Sequence, residues 1–133
     1  MDAPEPIDLA AAFDALTFLP NRSPVMPDDT GSDWAAIAAP YRDGGVFVAH
    51  YAGESAWERH SVGDEVVMVV EGKTTMTMFI DGEDHHHTMG PLQMVIVPQG
   101  TWHRFSTPEQ VKVMTVTPQP TDHRVKHPRT EHL

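Results

Sequence analysis

The sequence predicts an all-β protein, a single small sandwich or barrel, and three observations carry that expectation. From about residue 44 onward, at least six short apolar or alternating stretches recur at roughly ten-residue spacing, with little helix between them. Twelve prolines and nine glycines in 133 residues punctuate the chain often, which favours short strands and turns over long helices. The length suits one domain with one core, and 40% hydrophobic against 21% charged residues is ordinary globular usage.

Residues 1–40 differ from the rest. "PIDLAAAFDALTFL" places Leu9, Phe13 and Leu16 on one face behind Asp8 as N-cap, so it reads as one short amphipathic helix. "PNRSPVMPDDTGSD" reads as a loop, and "WAAIAAP" as a further helical turn or an edge segment. "GVFVAHYAG" then reads as a strand that alternates in part. "EVVMVVEG" holds five apolar residues between turn formers, which suits a strand buried on both faces. "KTTMTMFIDGED" alternates and then turns at Asp81-Gly82, a hairpin signal. "LQMVIVPQG" is a strand closed by Pro98 and Gly100, and "HRFSTPEQVKVMTVTP" reads as strand, turn and final strand. The segment "QPTDHRVKHPRTEHL" is polar and broken by prolines, so a trailing tail is expected. The division is therefore an extension over 1–40 packed on the outside, a barrel over 41–118 and a polar tail over 119–133.

Nine Lys and Arg stand against nineteen Asp and Glu, a net charge of −10. That argues against nonspecific binding to nucleic acid or an anionic membrane, which requires a basic face to displace counterions. Without cysteine, disulfides and thiolate metal sites are excluded. The acidic opening "MDAPEPIDLA" lacks the basic and apolar regions of a secretory signal, and no stretch has the length of a membrane span. Cytoplasmic placement is the expectation.

The chemistry-bearing residues cluster around "WERHSVGDEVVMVVEG". Glu58 and His60 are two apart, so on a strand they share a face. Glu65 follows "SVGD", which reads as a tight turn that brings the chain back to the same interior. His103 in "PQGTWHRF" opens a later strand, and an antiparallel barrel brings such distant strands together. Two imidazoles with one or two carboxylates suit one divalent transition metal, Fe, Mn, Ni or Zn. Each residue also has an ordinary reading, as a solvated hairpin charge or a histidine bonded to backbone. No phosphate-binding loop or G-x-S-x-G nucleophile motif is present.

His85-His86-His87 beside the Asp-Gly turn reads as a solvated tip, and His123, His127 and His132 read as solvated tail residues. Met68, Met76, Met78, Met94 and Met114 read as core or pocket lining rather than ligands. Trp57 and Trp102 each neighbour an inward residue. By alternation they point outward, under the extension or into a dimer interface, and Arg104 points the same way.

The chain resembles the cupin family. Its first motif runs G-x5-H-x-H-x3/4-E-x6-G and its second G-x5-P-x-G-x2-H-x3-N. His60-x4-Glu65-x6-Gly72 fits the second half of the first motif, and Pro98-x-Gly100-x2-His103 fits the heart of the second, a likeness over about residues 44–118. The resemblance implies a double-stranded β-helix barrel, a jelly roll, with His60, Glu65 and His103 holding one divalent metal inside it. Glu58 replaces the leading histidine, and the opening glycine falls one residue late at Gly53. Leu92 stands at the second motif's leading glycine and Thr107 at its asparagine.

Three readings of Glu58 stay open: a fourth ligand, an unbound proton acceptor beside a two-His-one-Glu triad, or part of an empty, degenerate site. The favoured function is a metal-dependent enzyme acting on a small organic molecule in the barrel. Dioxygenase, isomerase and lyase chemistry are not distinguished. The alternative is a non-enzymatic small-ligand binding or sensing module. Val66, Met68 and Val70 would face outward and need a cover, so a homodimer is expected.

Overall fold

One long strand organises the molecule. In the computed structural model, which describes residues 1–26 and 32–130, β9 runs unbroken from Trp102 to Pro118. Around it stand α1 (Leu9–Asp14), β1 (Leu19–Arg22), β2 (Ala35–Tyr41), β3 (Gly44–Glu54) and β4 (Trp57–His60). These are followed by β5 (Glu65–Gly72), β6 (Thr74–Ile80), β7 (Glu83–Met89) and β8 (Met94–Val97), and after β9 comes β10 (Thr121–Arg124). The strands form a jelly-roll barrel. The first half of β9 pairs with β6 and β4, its second half with β5, and β3 follows it on the other edge. The expected turn inside this segment is instead a bulge. Val111 stands opposite Tyr51 and Thr107 opposite Gly53, so the extra residues around Pro108 leave the ladder without ending it.

Alternation sorts the two faces of the wall. Val67, Val69, Met76 and Val111 are fully buried in the core with Tyr51, and each such aliphatic side chain contributes about 1.5–3 kcal/mol by burial. Val66, Met68 and Val70 on β5 are only half-buried, so the strand is fully covered on one face rather than on both. Met76 and Met78 belong to the core, whereas Met94 is 54% exposed. At the β6–β7 turn both Asp81 (φ 54°) and Gly82 (φ 79°) are left-handed, as a two-residue hairpin requires.

Both flanks join the barrel. Asp8 caps α1 by accepting from the Ala11 N–H (3.1 Å), and Phe13 is buried. Leu19–Arg22, within the expected helix and loop, is a strand that pairs parallel with β3, and "WAAIAAP" is an edge strand. Residues 27–31 of that loop lie outside the described residues. The segment after Pro118 is not a trailing tail, because Thr121–Arg124 takes the free edge of β4. It also covers the two outward tryptophans, in place of the N-terminal extension. Arg124 and Arg59 lie over Trp102, while His127 packs edge-on against both Trp57 and Phe79 and pairs with Asp84 (2.8 Å). His127 is thus a packed residue, His123 is exposed, and His132 lies outside the described residues. Arg104 lies over Trp57 on this same outer side. His85, His86 and His87 are exposed along β7, just beyond the hairpin tip.

Candidate metal centre

Three strands bring the carboxylates and imidazoles together. Glu58 and His60 leave β4 on the same face, and Glu58 stands directly opposite His103 of β9. Glu65 opens β5, a strand that pairs with β8 and β9, so the 61–64 loop crosses to a different part of the wall instead of folding back as a hairpin. That loop is clamped to the 98–101 turn. Asp64 accepts from the Gln99 N–H, Gln99 Nε2 donates to the Ser61 carbonyl, and the Gly100 N–H donates to the His60 carbonyl (2.7, 2.7 and 2.9 Å). Gly100 has φ 77°, a conformation open to glycine. Leu92 is also left-handed (φ 67°), at the position where the resembled motif has glycine.

His60, Glu65 and His103 are 3%, 4% and 0% exposed. Glu65 Oε2 lies 3.3 Å from His60 Nε2, and Glu65 Oε1 lies 3.0 Å from His103 Nε2. Despite these distances, His60 Nε2, His103 Nε2 and Glu65 Oε1 have no hydrogen-bond partner among the described residues. Glu58, His60 and His103 each offer a ligand atom within 4.8 Å of the others. All four expected residues therefore gather around the same two imidazoles.

The atoms behind them are satisfied, and this fixes which lone pairs face inward. His103 Nδ1 donates to the Thr101 carbonyl (3.0 Å), leaving Nε2 as an acceptor in the neutral ring. The Thr121 hydroxyl donates to Gln119 Oε1 (3.1 Å), so it accepts from His60 Nδ1 (3.0 Å) and bares His60 Nε2 in the same way. Thr117 donates to Glu65 Oε2 (2.6 Å) and accepts from Thr115 (2.6 Å). Burial pushes the Glu65 carboxyl up, but His103 and His60 beside it outweigh that and hold its pKa at about 2. Burial disfavours a charged His103, yet Glu65 and then Glu58 outweigh it and raise its pKa. An ionised carboxylate facing two buried imidazole Nε2 atoms forms a donor set that fits a divalent ion, which would displace any proton held between them.

A cavity of about 220 Å³ adjoins the cluster, lined by Glu58, His60 and Glu65 together with Phe47, Tyr51, Val113 and Thr115. The sequence reading missed the supporting residues Thr101, Thr117 and Thr121. It also missed Arg22, whose Nη2 lies 3.4 Å from Glu58 Oε1. Gly53 explains how Arg22 comes so close. It has φ 107°, and any side chain there would collide with the Arg22 backbone paired beside it.

The cupin domain model matches residues 46–118, more than half of the chain. The protein belongs to the cupin family. No curated protein matches the sequence. Among solved structures, a cupin-2 domain protein from Shewanella frigidimarina is 24% identical over 68% of this chain and 79% of its own, with a TM-score of 0.54. Protein NMB1881 from Neisseria meningitidis is 16% identical over 86% of this chain and all of its own, with a TM-score of 0.62. Hydroquinone 1,2-dioxygenase from Sphingomonas sp. TTNP3, with 4-hydroxybenzoate bound, is 14% identical over 67% of this chain and 65% of its own (TM-score 0.53). At these identities the likeness speaks for the fold. No helix among the described residues is long and apolar enough to cross a membrane.

Proposed function

We propose that this cupin is a metal-dependent enzyme acting on a small organic molecule within the barrel. His60, Glu65 and His103 hold one divalent ion of the Fe, Mn, Ni or Zn kind, with Glu58 at the cavity side of the cluster. The observation that carries this reading is the convergence of three buried ligand atoms without hydrogen-bond partners among the described residues. When bound, the ion supplies a Lewis-acid or redox centre. The chain's own residues do the remainder. Thr117 and Thr121 hold Glu65 and His60 in place, Phe47 and Val113 keep part of the cavity wall apolar, and Glu58 is a carboxylate in position to accept a proton. That such a site occurs in a cupin related in fold to a dioxygenase supports the enzyme reading without choosing a reaction.

Elemental analysis of tag-free protein purified without nickel resin tests the proposal. About one metal per chain is expected, lost in His60→Ala/His103→Ala and kept when His85, His86 and His87 are all replaced by alanine. Wild-type protein that takes up no added Fe, Mn, Ni or Zn would leave the small-ligand binding module as the reading of the cavity.

We also propose a homodimer. Val66 and Met68 stand beside Ile96 and Met94 on the outer wall, where Met94 and Ile96 are 54% and 52% exposed. Sedimentation should give a dimer for the wild type and a monomer for Ile96→Glu; a wild-type monomer refutes the pairing.

A further inference from the structure

Arg22 reaches the cavity from outside the barrel proper. Its guanidinium lies 4.7 Å from the ring centre of Trp34 and 4.6 Å from that of Tyr51, and its side chain is 14% exposed. Among the described residues its side chain makes one hydrogen bond, from Nη2 to Glu58 Oε1 at 3.4 Å. That is long for a charge-assisted bond, which settles near 2.7–2.9 Å when well formed, and a guanidinium has about five N–H donors to place. Tyr51 beneath it is 1% exposed, lines the same cavity, and its hydroxyl has no hydrogen-bond partner among the described residues. Burial pushes that hydroxyl up to about 12, with Arg22 drawing it down and Glu58 pushing it up, so at neutral pH it carries its proton. Two donors with unused capacity therefore meet at one place. Arg22, Trp34 and Glu58 line both the inner cavity and an outer space of about 370 Å³, so Arg22 stands at the entrance with Tyr51 just inside it.

We propose that Arg22 and Tyr51 form a carboxylate-binding subsite, and that the substrate is a small carboxylic acid whose carboxylate takes Arg22 from Glu58. The planar fork of Arg22 matches two carboxylate oxygens, and Tyr51 supplies a further donor. Charge balance points the same way, and this step rests on the metal reading above. A divalent ion and Arg22 against Glu58 and Glu65 leave one positive charge, which a monoanion neutralises. The volume suits such an occupant, since an apolar cavity of about 150 Å³ accommodates benzene. Glu58, once released from Arg22, becomes a free carboxylate at the cavity.

Calorimetric titration with matched probes, benzoate against benzamide and acetate against acetamide, tests the proposal on metal-free and Zn²⁺-loaded protein. At least one carboxylate should bind the Zn²⁺-loaded wild type about tenfold or more tightly than its amide, and the metal-free wild type by a smaller factor, because Glu58 and Glu65 there outweigh Arg22. Arg22→Gln should abolish the preference, Tyr51→Phe should reduce it, and Arg22→Lys should keep part of it. In metal-free protein, Glu58→Gln should tighten carboxylate binding, because a competitor for Arg22 is gone. Thermal melting of each variant confirms that it is folded. The subsite is overturned if no carboxylate is preferred in the wild type, or if the preference survives Arg22→Gln unchanged. A preference that needs Zn²⁺ and ignores Arg22 assigns the carboxylate to the ion, so the subsite fails while the metal reading stands. A preference lost in Arg22→Gln in protein that takes up no metal leaves the subsite standing and the metal reading refuted.

Discussion

Glu65 and Glu58 face one cavity but are held in different ways. The Glu65 side chain is 5% exposed, sits against two buried imidazoles and accepts a 2.6 Å hydrogen bond from Thr117, itself backed by Thr115. The Glu58 side chain is 16% exposed and is held at 3.4 Å by Arg22, at the boundary with the outer space. The inner carboxylate is fixed from behind by a donor it cannot exchange without leaving a buried oxygen unsatisfied. The outer one is held by a cation that a ligand can reach. The difference teaches that the motif residue Glu65 is fixed by a buried hydroxyl, while Glu58 rests on one long contact at the cavity boundary, which is what the proposed exchange requires.

The largest expected effect separates the two regions outright: His60→Ala/His103→Ala removes bound metal completely, whereas Arg22→Gln leaves its stoichiometry unchanged, as elemental analysis would record. Thr117→Val comes next. It removes the donor that orients Glu65, and the loss of such a supporting hydrogen bond weakens metal binding by about 10–100-fold. A competition titration against a chromogenic chelator reads this directly. Affinity unchanged from wild type would mean that Glu65 does not ligate. Thr121→Val acts on His60 through the ring nitrogen opposite the cavity, so a loss of about tenfold is expected, toward the lower end of that range. If Thr121→Val weakens binding more than Thr117→Val, the order of importance assigned to the two supports is reversed.

How far this was legible follows the same division. His60 and Glu65 lie on one short stretch, and His103 follows a Pro-x-Gly turn, so local spacing offered them as candidates, and the resemblance to the cupin motifs is what implied a shared metal. The strands of the wall alternate because one face is buried, and that too is written locally. Arg22 was hidden because it reaches Glu58 through a four-residue parallel strand in a proline-rich segment, where no periodicity marks the pairing. One signal was available: Arg22 is the only Lys or Arg before Arg42 in an otherwise acidic extension. Thr121 was hidden for a similar reason, since an edge strand such as β10 leaves little hydrophobic pattern and its segment reads as polar tail. Glycine at 53 was visible as a misplaced motif residue, but its reason is the close passage of the Arg22 backbone, which only the fold reveals.

The smallest effect is the most informative about exchange. A partly exposed ion pair contributes about 0–1 kcal/mol to stability, and a guanidinium stacked on an aromatic ring at such a site about 0.5–1 kcal/mol. Arg22→Gln removes both but keeps the β1–β3 backbone pairing, so it should cost about 1 kcal/mol in chemical denaturation of metal-free protein. Thr117→Val, by contrast, strips a buried carboxylate of its donor and should cost about 1–3 kcal/mol. The contrast matters for function, because a ligand can displace Glu58 from Arg22 only if that contact is weak on the scale of the charge-assisted bonds replacing it. An Arg22→Gln cost of 3 kcal/mol or more, with no change in the denaturant dependence of unfolding, would make Arg22 a structural clamp on Glu58 and would argue against exchange at the entrance.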